Sequence, residues 1–321
     1  MKHPDADPLS YSDISDATER IAGRVRPVTV TPAERVEKPG ASGEYDLHFA
    51  LEYMQYTGSF KARGAQNFLR AHHAAGMLPD AGVTIASGGN TGLACAWAAQ
   101  ELGVASTVFL PTTAPTVKIE RLRSYDVDVQ LVGSEYADAN AACQDFAATS
   151  GALTSHAYDN PLIAAGAGTL VDDIRTHVPD IDTIVVAVGG GGLFAGVATA
   201  ADHHGIQTVA VEPDGSAVLN ASLAAGKLID IPVNSIAADS LGARRASQYA
   251  LHATQLESSS SITVSDGDII RARANLWKDR RIAVEYGAAT ALAALEGAYV
   301  PSVGEKVCVV LCGANTDPTT L

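Results

Sequence analysis

VTIASGGNTGLACAWAAQELG, Val83 to Gly103, is the stretch from which the fold is read. A short apolar run ends in a turn of glycines and small polar residues, and an alanine-rich, helix-compatible run follows. The same change recurs downstream. VASTVFLP (104 to 111) leads into APTVKIERLRSYD, and VDVQLVG (127 to 133) into YADANAACQDFAATSG. IAAGAGTLVDDIRTHV then precedes DTIVVAVG (182 to 189), LFAGVATAADHHG and QTVAVEP (207 to 213). Strand and helix alternating at this spacing predict mostly parallel sheets with helical crossovers, an α/β fold.

Upstream, a helix is expected around Asp13 to Gly23, a short strand near Pro27 to Pro32, and a loop at PGASGE (39 to 44). Downstream come the polar strand SITVSDGDI (261 to 269), helices near 268 to 280 and 284 to 297, and the strand KVCVVLC (306 to 312). That last strand is expected to complete a sheet begun much earlier. At 321 residues two units are the better expectation: a larger one of residues 1–46 and 153–321, and a smaller, mobile one of residues 47–152 inserted in it.

The formal net charge of −14 works against polyanions, so nucleic acid is not an expected partner. The amino terminus has no apolar leader core, and no apolar run approaches the roughly 18 residues that would span a membrane. Four cysteines without a C-x-x-C pair suit reduced thiols in the cytoplasm. His72–His73 and His203–His204 lack zinc-helix spacing and read as solvated or capping residues, so no metal is expected.

Three turns carry chemistry. In ASGGNTG, Ala86 to Gly92, two glycines admit close approach of a ligand, while Ser87, Asn90 and Thr91 stand at the positive end of a helix. That suits a small carboxylate or phosphate; an ordinary strand-to-helix turn is the other reading. In VGGGGLFAG, four consecutive glycines, Gly189 to Gly192, make a concave nest of N–H groups suited to a phosphate. Gly190, Gly192 and Ala195, with Glu212 about 20 residues on, also fit a dinucleotide fingerprint, so a nicotinamide oxidoreductase is carried as a rival. In VVLCGANTDP, Cys312 sits at a strand end, as core filler or as a polar contact. All three turns lie where ligands bind in open α/β sheets, beyond the carboxyl ends of strands. Lys61 in GSFKARG is then conspicuous, a cation in the first turn of a helix that Thr57 or Ser59 would cap, where partial positive charge opposes it.

S-F-K, S-G-G-N-T-G, a tetraglycine turn and a final C-G-A-N occur in that order, over about residues 15 to 320. This resembles the fold type II pyridoxal phosphate (PLP) enzymes, within them the serine/threonine dehydratase and serine racemase branch. The resemblance implies that Lys61 holds PLP as a Schiff base, with Phe60 packing under its ring. It implies that Asn90 bonds the phenolic oxygen and that Gly189, Gly190, Gly191, Gly192 and Leu193 cradle the phosphate. Glu285 would stand near the ring and Cys312 against the pyridine nitrogen; Ser87, Gly88, Asn90 and Thr91 would line the substrate carboxylate site. A thiol cannot hold the ring nitrogen protonated as a carboxylate would, which favours β-elimination over a long-lived carbanion. Racemases of the branch tend to carry a serine where this chain has Gly88, so glycine also favours elimination. The implied activity is dehydration of a small β-hydroxy amino acid to a 2-oxo acid and ammonia. An amino acid racemase, a β-replacing synthase, a hydroxyaspartate dehydratase and a catalytically silent PLP-binding protein are the alternatives, and a homodimer is the default assembly.

Overall fold

The computed structural model describes residues 7–37 and 43–320. Among the described residues ten strands form two sheets: β1 (Glu34–Glu37), β2 (Glu44–Ala50), β3 (Val83–Ile85), β4 (Ser106–Leu110), β5 (Asp128–Leu131), β6 (Leu153–Thr154), β7 (Thr183–Ala187), β8 (Gln207–Pro213), β9 (Ser259–Val264) and β10 (Lys306–Val310). The larger sheet runs β1-β2-β10-β7-β8-β9 and the smaller β5-β4-β3-β6. Every pairing is parallel except β1 with β2.

Strands covered by helices on both faces read as continuous apolar runs. TIVVA of β7 is buried at all five positions and VCVV of β10 at all four, which places both in the middle of the larger sheet. The edge strand β1, ERVE, instead alternates partly buried with exposed positions and carries three charged residues, which discourages pairing with another chain. As expected, the final strand completes a sheet begun early, because β10 inserts between β2 and β7, with Val309 opposite both Phe49 and Val185.

Two expectations are corrected. No strand forms over Pro27 to Pro32; Val30 makes one isolated bridge to Ala50, because the flanking prolines have no N–H to continue a ladder. The strand of that region is β2, EYDLHFA, whose start at Glu44 ends the expected loop, while residues 39–42 of that loop lie outside the described residues. The division after residue 46 runs through β2, and the division after residue 152 separates β6 from its partner β3. We propose a smaller unit running from after Ala50 through Thr154, which follows the sheets.

The helix Lys61–Ala74 is fixed on the larger unit by close packing and by a buried ion cluster. A Cβ on Gly64 would stand 2.8 Å from the carbonyl oxygen of Ile163, and one on Gly166 would stand 2.7 Å from that of Arg63, so this helix and Pro161–Gly168 meet backbone to backbone. Arg63 is 1% exposed; its Nε donates to Glu52 Oε1 at 2.7 Å, its Nη2 to Asp173 Oδ2 at 2.6 Å, and its Nη1 to Thr169 at 3.1 Å. Burial raises the pKa of Glu52, and the guanidinium beside it opposes that rise. Removing one partner of such a pair strands the other charge away from water. Arg63→Met should therefore lower the unfolding free energy by about 3–5 kcal/mol in urea titration. Adding Glu52→Gln to that variant should restore part of the loss.

Candidate active site

The segment entering the Lys61 helix is pinned to the end of β10. Tyr53 N donates to Leu311 O at 2.8 Å, Phe60 N to Cys312 O at 2.9 Å, and Ser59 bridges to Gly313. Lys61 is thus delivered to the carboxyl end of the larger sheet. The expected caps are corrected here. The N-cap is Phe60, without a side-chain bond, and the hydroxyls of Thr57 and Ser59 are buried without partners. The bridge holds Ser59 extended, and Thr57 takes a left-handed backbone at φ 64°, so neither residue reaches the capping position.

Lys61 is half-buried, with its Nζ 4.7 Å from the centre of the Phe60 ring, and it donates to Ala157 O at 2.8 Å. Desolvation lowers its pKa from 10.5 to about 8, against the pull of nearby acidic groups, Cys312 and Glu285. The Cys312 thiol is itself pushed up to about 12, first by burial and then by Glu285. It is therefore neutral at pH 7.

Glu285, Asn90 and Asn315 join the SGGNT loop to the C-G-A-N turn. Asn90 Nδ2 donates to the Glu285 oxygens at 2.9 and 3.0 Å, and Asn315 N donates to Glu285 Oε1 at 2.8 Å. Asn315 Nδ2 donates to Asn90 Oδ1 at 2.6 Å and to Thr57 O at 2.8 Å. Gly313 is required beside them, since a Cβ there would stand 2.7 Å from Glu285 Oε1. Burial raises the pKa of Glu285, and the amide donors oppose the rise.

The tetraglycine turn lies between β7 and the helix Gly192–His203. Gly191, at φ 89°, is its N-cap and offers no side chain, so the first N–H groups of that helix have no capping oxygen from the cap residue. A Cβ on Gly190 would stand 2.3 Å from the Tyr158 ring, and one on Gly191 2.3 Å from Ala250 Cβ, so both faces of the turn are closed to side chains. Leu193 packs its side chain in the core, leaving only its backbone to the turn. The bare helix start and the glycine cradle fit a phosphate, and the amine of lowered pKa fits an aldehyde.

The structure brings Lys61, Phe60, Asn90, Glu285 and Cys312 together. Ser87 and Thr91 are half-buried on the neighbouring loop, where Ser87 Oγ accepts from Gly89 N at 3.4 Å. At Gly88 a Cβ would stand 2.8 Å from the tip of buried Leu110. Asn315, Tyr158, His156 and Ala157 were not marked by sequence reasoning. Asn315 was within reach as the last letter of C-G-A-N, whereas Ala157 acts through a backbone carbonyl that has no sequence signature.

The dinucleotide rival loses its acidic residue. Glu212 is wholly buried, where it accepts from Leu219 N at 2.7 Å and Asn220 N at 2.8 Å and starts the helix Val218–Ala225. No ribose can reach it. Three of the paired histidines make local contacts: Tyr11 stacks on His203 at 3.8 Å, His204 Nε2 meets Asp172 at 2.9 Å, and His72 Nδ1 meets Phe68 O at 2.8 Å. Among the described residues no group of three His, Cys, Asp or Glu could hold a metal ion, and no helix is long and apolar enough to cross a membrane.

A family model described as pyridoxal-phosphate dependent enzyme matches residues 25–313. The chain is 33% identical over 316 residues to an L-threonine ammonia-lyase of Geobacter sulfurreducens, covering 98% of this chain and 77% of that protein. It is 35% identical over 279 residues to a human protein named serine dehydratase-like, covering 82% and 83%. Among solved structures, maize serine racemase superposes with a TM-score of 0.87 at 28% identity, covering 98% of this chain and 96% of that one.

Acylation of Lys61 in cofactor-free protein, read on its peptide by mass spectrometry across pH, should titrate with a midpoint of about 8. A midpoint near the ordinary 10.5 would show an amine in contact with bulk water.

Proposed function

Because the chain belongs to the pyridoxal-phosphate dependent enzymes, we propose that it is a dehydratase of a small β-hydroxy amino acid such as L-threonine or L-serine, releasing a 2-oxo acid and ammonia by α,β-elimination. The observation that carries the reading is the placement of the Lys61 amine, which donates to Ala157 O one residue after the Phe60 N to Cys312 O bond, beside the turn that Glu285 and Asn315 join to the SGGNT loop. Pyridoxal 5′-phosphate, when bound, supplies an electron-withdrawing ring conjugated to the substrate nitrogen, which acidifies the Cα–H.

The chain's own residues divide the remaining work. Gly189 to Gly192, with the Leu193 backbone, would receive the phosphate at the start of an uncapped helix. Phe60, over whose ring Lys61 Nζ lies, would pack against the ring of the cofactor. Asn90 Nδ2 carries two hydrogens, so one can turn to the ring's phenolic oxygen while the other stays on Glu285. Cys312, neutral at pH 7, would meet the ring nitrogen as a weak partner without charge, which would suit discharge of the Cα electrons by loss of the β substituent. Ser87, Gly88, Asn90 and Thr91 receive the substrate carboxylate at the start of the helix Asn90–Leu102, whose N-cap Gly89 also contributes no side chain. Lys61 Nζ, neutral in a large fraction of molecules near its pKa, takes the Cα proton.

Elimination is favoured over racemisation at Gly88. A racemase needs a second proton carrier on the opposite face, and the Leu110 tip fills the space a side chain at residue 88 would enter. The reading extends to a cytoplasmic homodimer. Four buried free thiols support a reducing compartment, and two-fold assembly is the commonest for soluble oligomers.

The purified protein should absorb near the visible edge and should lose that band in Lys61→Ala. With L-serine and L-threonine it should release keto acid without accumulating the D-enantiomer. D-serine formed from L-serine in the absence of pyruvate would contradict elimination, and a colourless protein that binds NADH would overturn the reading altogether.

A further inference from the structure

Lys61 Nζ donates to a carbonyl in a turn that a histidine side chain holds shut. Residues 156–159 lie between two firm anchors: Ser155 N donates to Thr84 O at 2.9 Å, extending the pairing of β6 with β3, and Asn160 Oδ1 accepts from Leu162 N at 2.9 Å, capping the helix Pro161–Gly168. Turns are ordinarily closed by a backbone carbonyl. Here His156 Nδ1 accepts from Asp159 N at 2.9 Å and from Tyr158 N at 3.3 Å. Asparagine and aspartate close turns in this way with a side-chain oxygen, and the imidazole nitrogen occupies the same position along the side chain.

Accepting two N–H groups requires Nδ1 to be unprotonated, so the ring is neutral with its hydrogen on Nε2. Tyr158 extends the same turn. Its ring stands edge-on to His156 at 5.0 Å, lies against Gly190, and its hydroxyl donates to Arg245 O at 3.0 Å. Ala157 sits between the closing histidine and this tyrosine, so the direction of its carbonyl is set by both neighbours.

We infer that His156 is a positioning residue for Lys61: by closing the 156–159 turn through Nδ1, it aims the Ala157 carbonyl that receives the lysine amine whenever that amine is not in imine linkage. A released amine on a four-carbon stem has many rotamers. One fixed acceptor keeps Nζ in one place, poised for the Cα proton and for return to the imine. The inference rests on the dehydratase reading for its use in catalysis, but its geometry belongs to the protein alone.

Cofactor-free protein provides the test, through the pH dependence of Lys61 acylation read on its peptide. A carbonyl acceptor favours the ammonium, so opening the turn should lower the midpoint in His156→Ala by about half to one pH unit. His156→Phe keeps an aromatic ring beside Tyr158 but no acceptor, and should behave like His156→Ala. His156→Asn supplies an oxygen to the same two N–H groups and should return the midpoint to that of the parent. In the loaded enzyme the Ala and Phe variants should lose about tenfold in kcat with KM little changed, and Asn should recover most of it. Asn and Ala variants that behave alike, or three variants with the parent midpoint, would overturn the inference. Failure of the protein to bind PLP would leave the acylation result standing, so the two readings fail separately.

Discussion

The bond from Phe60 N to Cys312 O, 2.9 Å long, is the constraint on which the site depends. It joins the residue before Lys61 to the turn after the last strand, across some 250 residues of chain. That contact is available only because β10 threads between β2 and β7 and brings its carboxyl end to the entrance of the Lys61 helix. Arg63, two residues further on, then locks the helix to Glu52 and Asp173 inside the protein. A lysine held at both sides in this way keeps its amine at the end of the sheet, where desolvation lowers its pKa.

The second constraint is the carboxylate of Glu285, a hub that collects Asn90 from the smaller sheet's side and Asn315 from the C-G-A-N turn. It couples the loop proposed to hold substrate to the strand end proposed to face the ring. Movement of the SGGNT loop toward or away from the larger sheet must break or carry these bonds with it. Any movement of the loop would therefore be linked to the arrangement of groups around Lys61.

The alternating runs from Val83 onward predicted the parallel sheets, because buried parallel strands are apolar without interruption and their crossovers are helical. EYDLHFA escaped notice as a strand since its charged and aromatic residues look like loop or edge, although five of its seven positions are buried. The lysine, the two glycine turns and Cys312 were legible as motifs. What motifs could not reveal was pairwise: that Asn90 meets Glu285, that Asn315 bridges them, and that Lys61 rests on Ala157. Such contacts depend on backbone atoms and on distant segments, and neither leaves a pattern in neighbouring letters. The Gly190, Gly192 and Ala195 fingerprint misled in the opposite direction. Its spacing fits a dinucleotide, and only the inward turn of Glu212 onto a helix start removes that reading.

Borohydride reduction of the PLP-loaded protein followed by peptide mapping tests the role of Lys61 most directly. A pyridoxyl adduct on the peptide carrying Lys61, in a ratio of about one per chain, is the expected result. An adduct on any other lysine, or a protein that takes up no label, would contradict the placement of the cofactor at the end of β10.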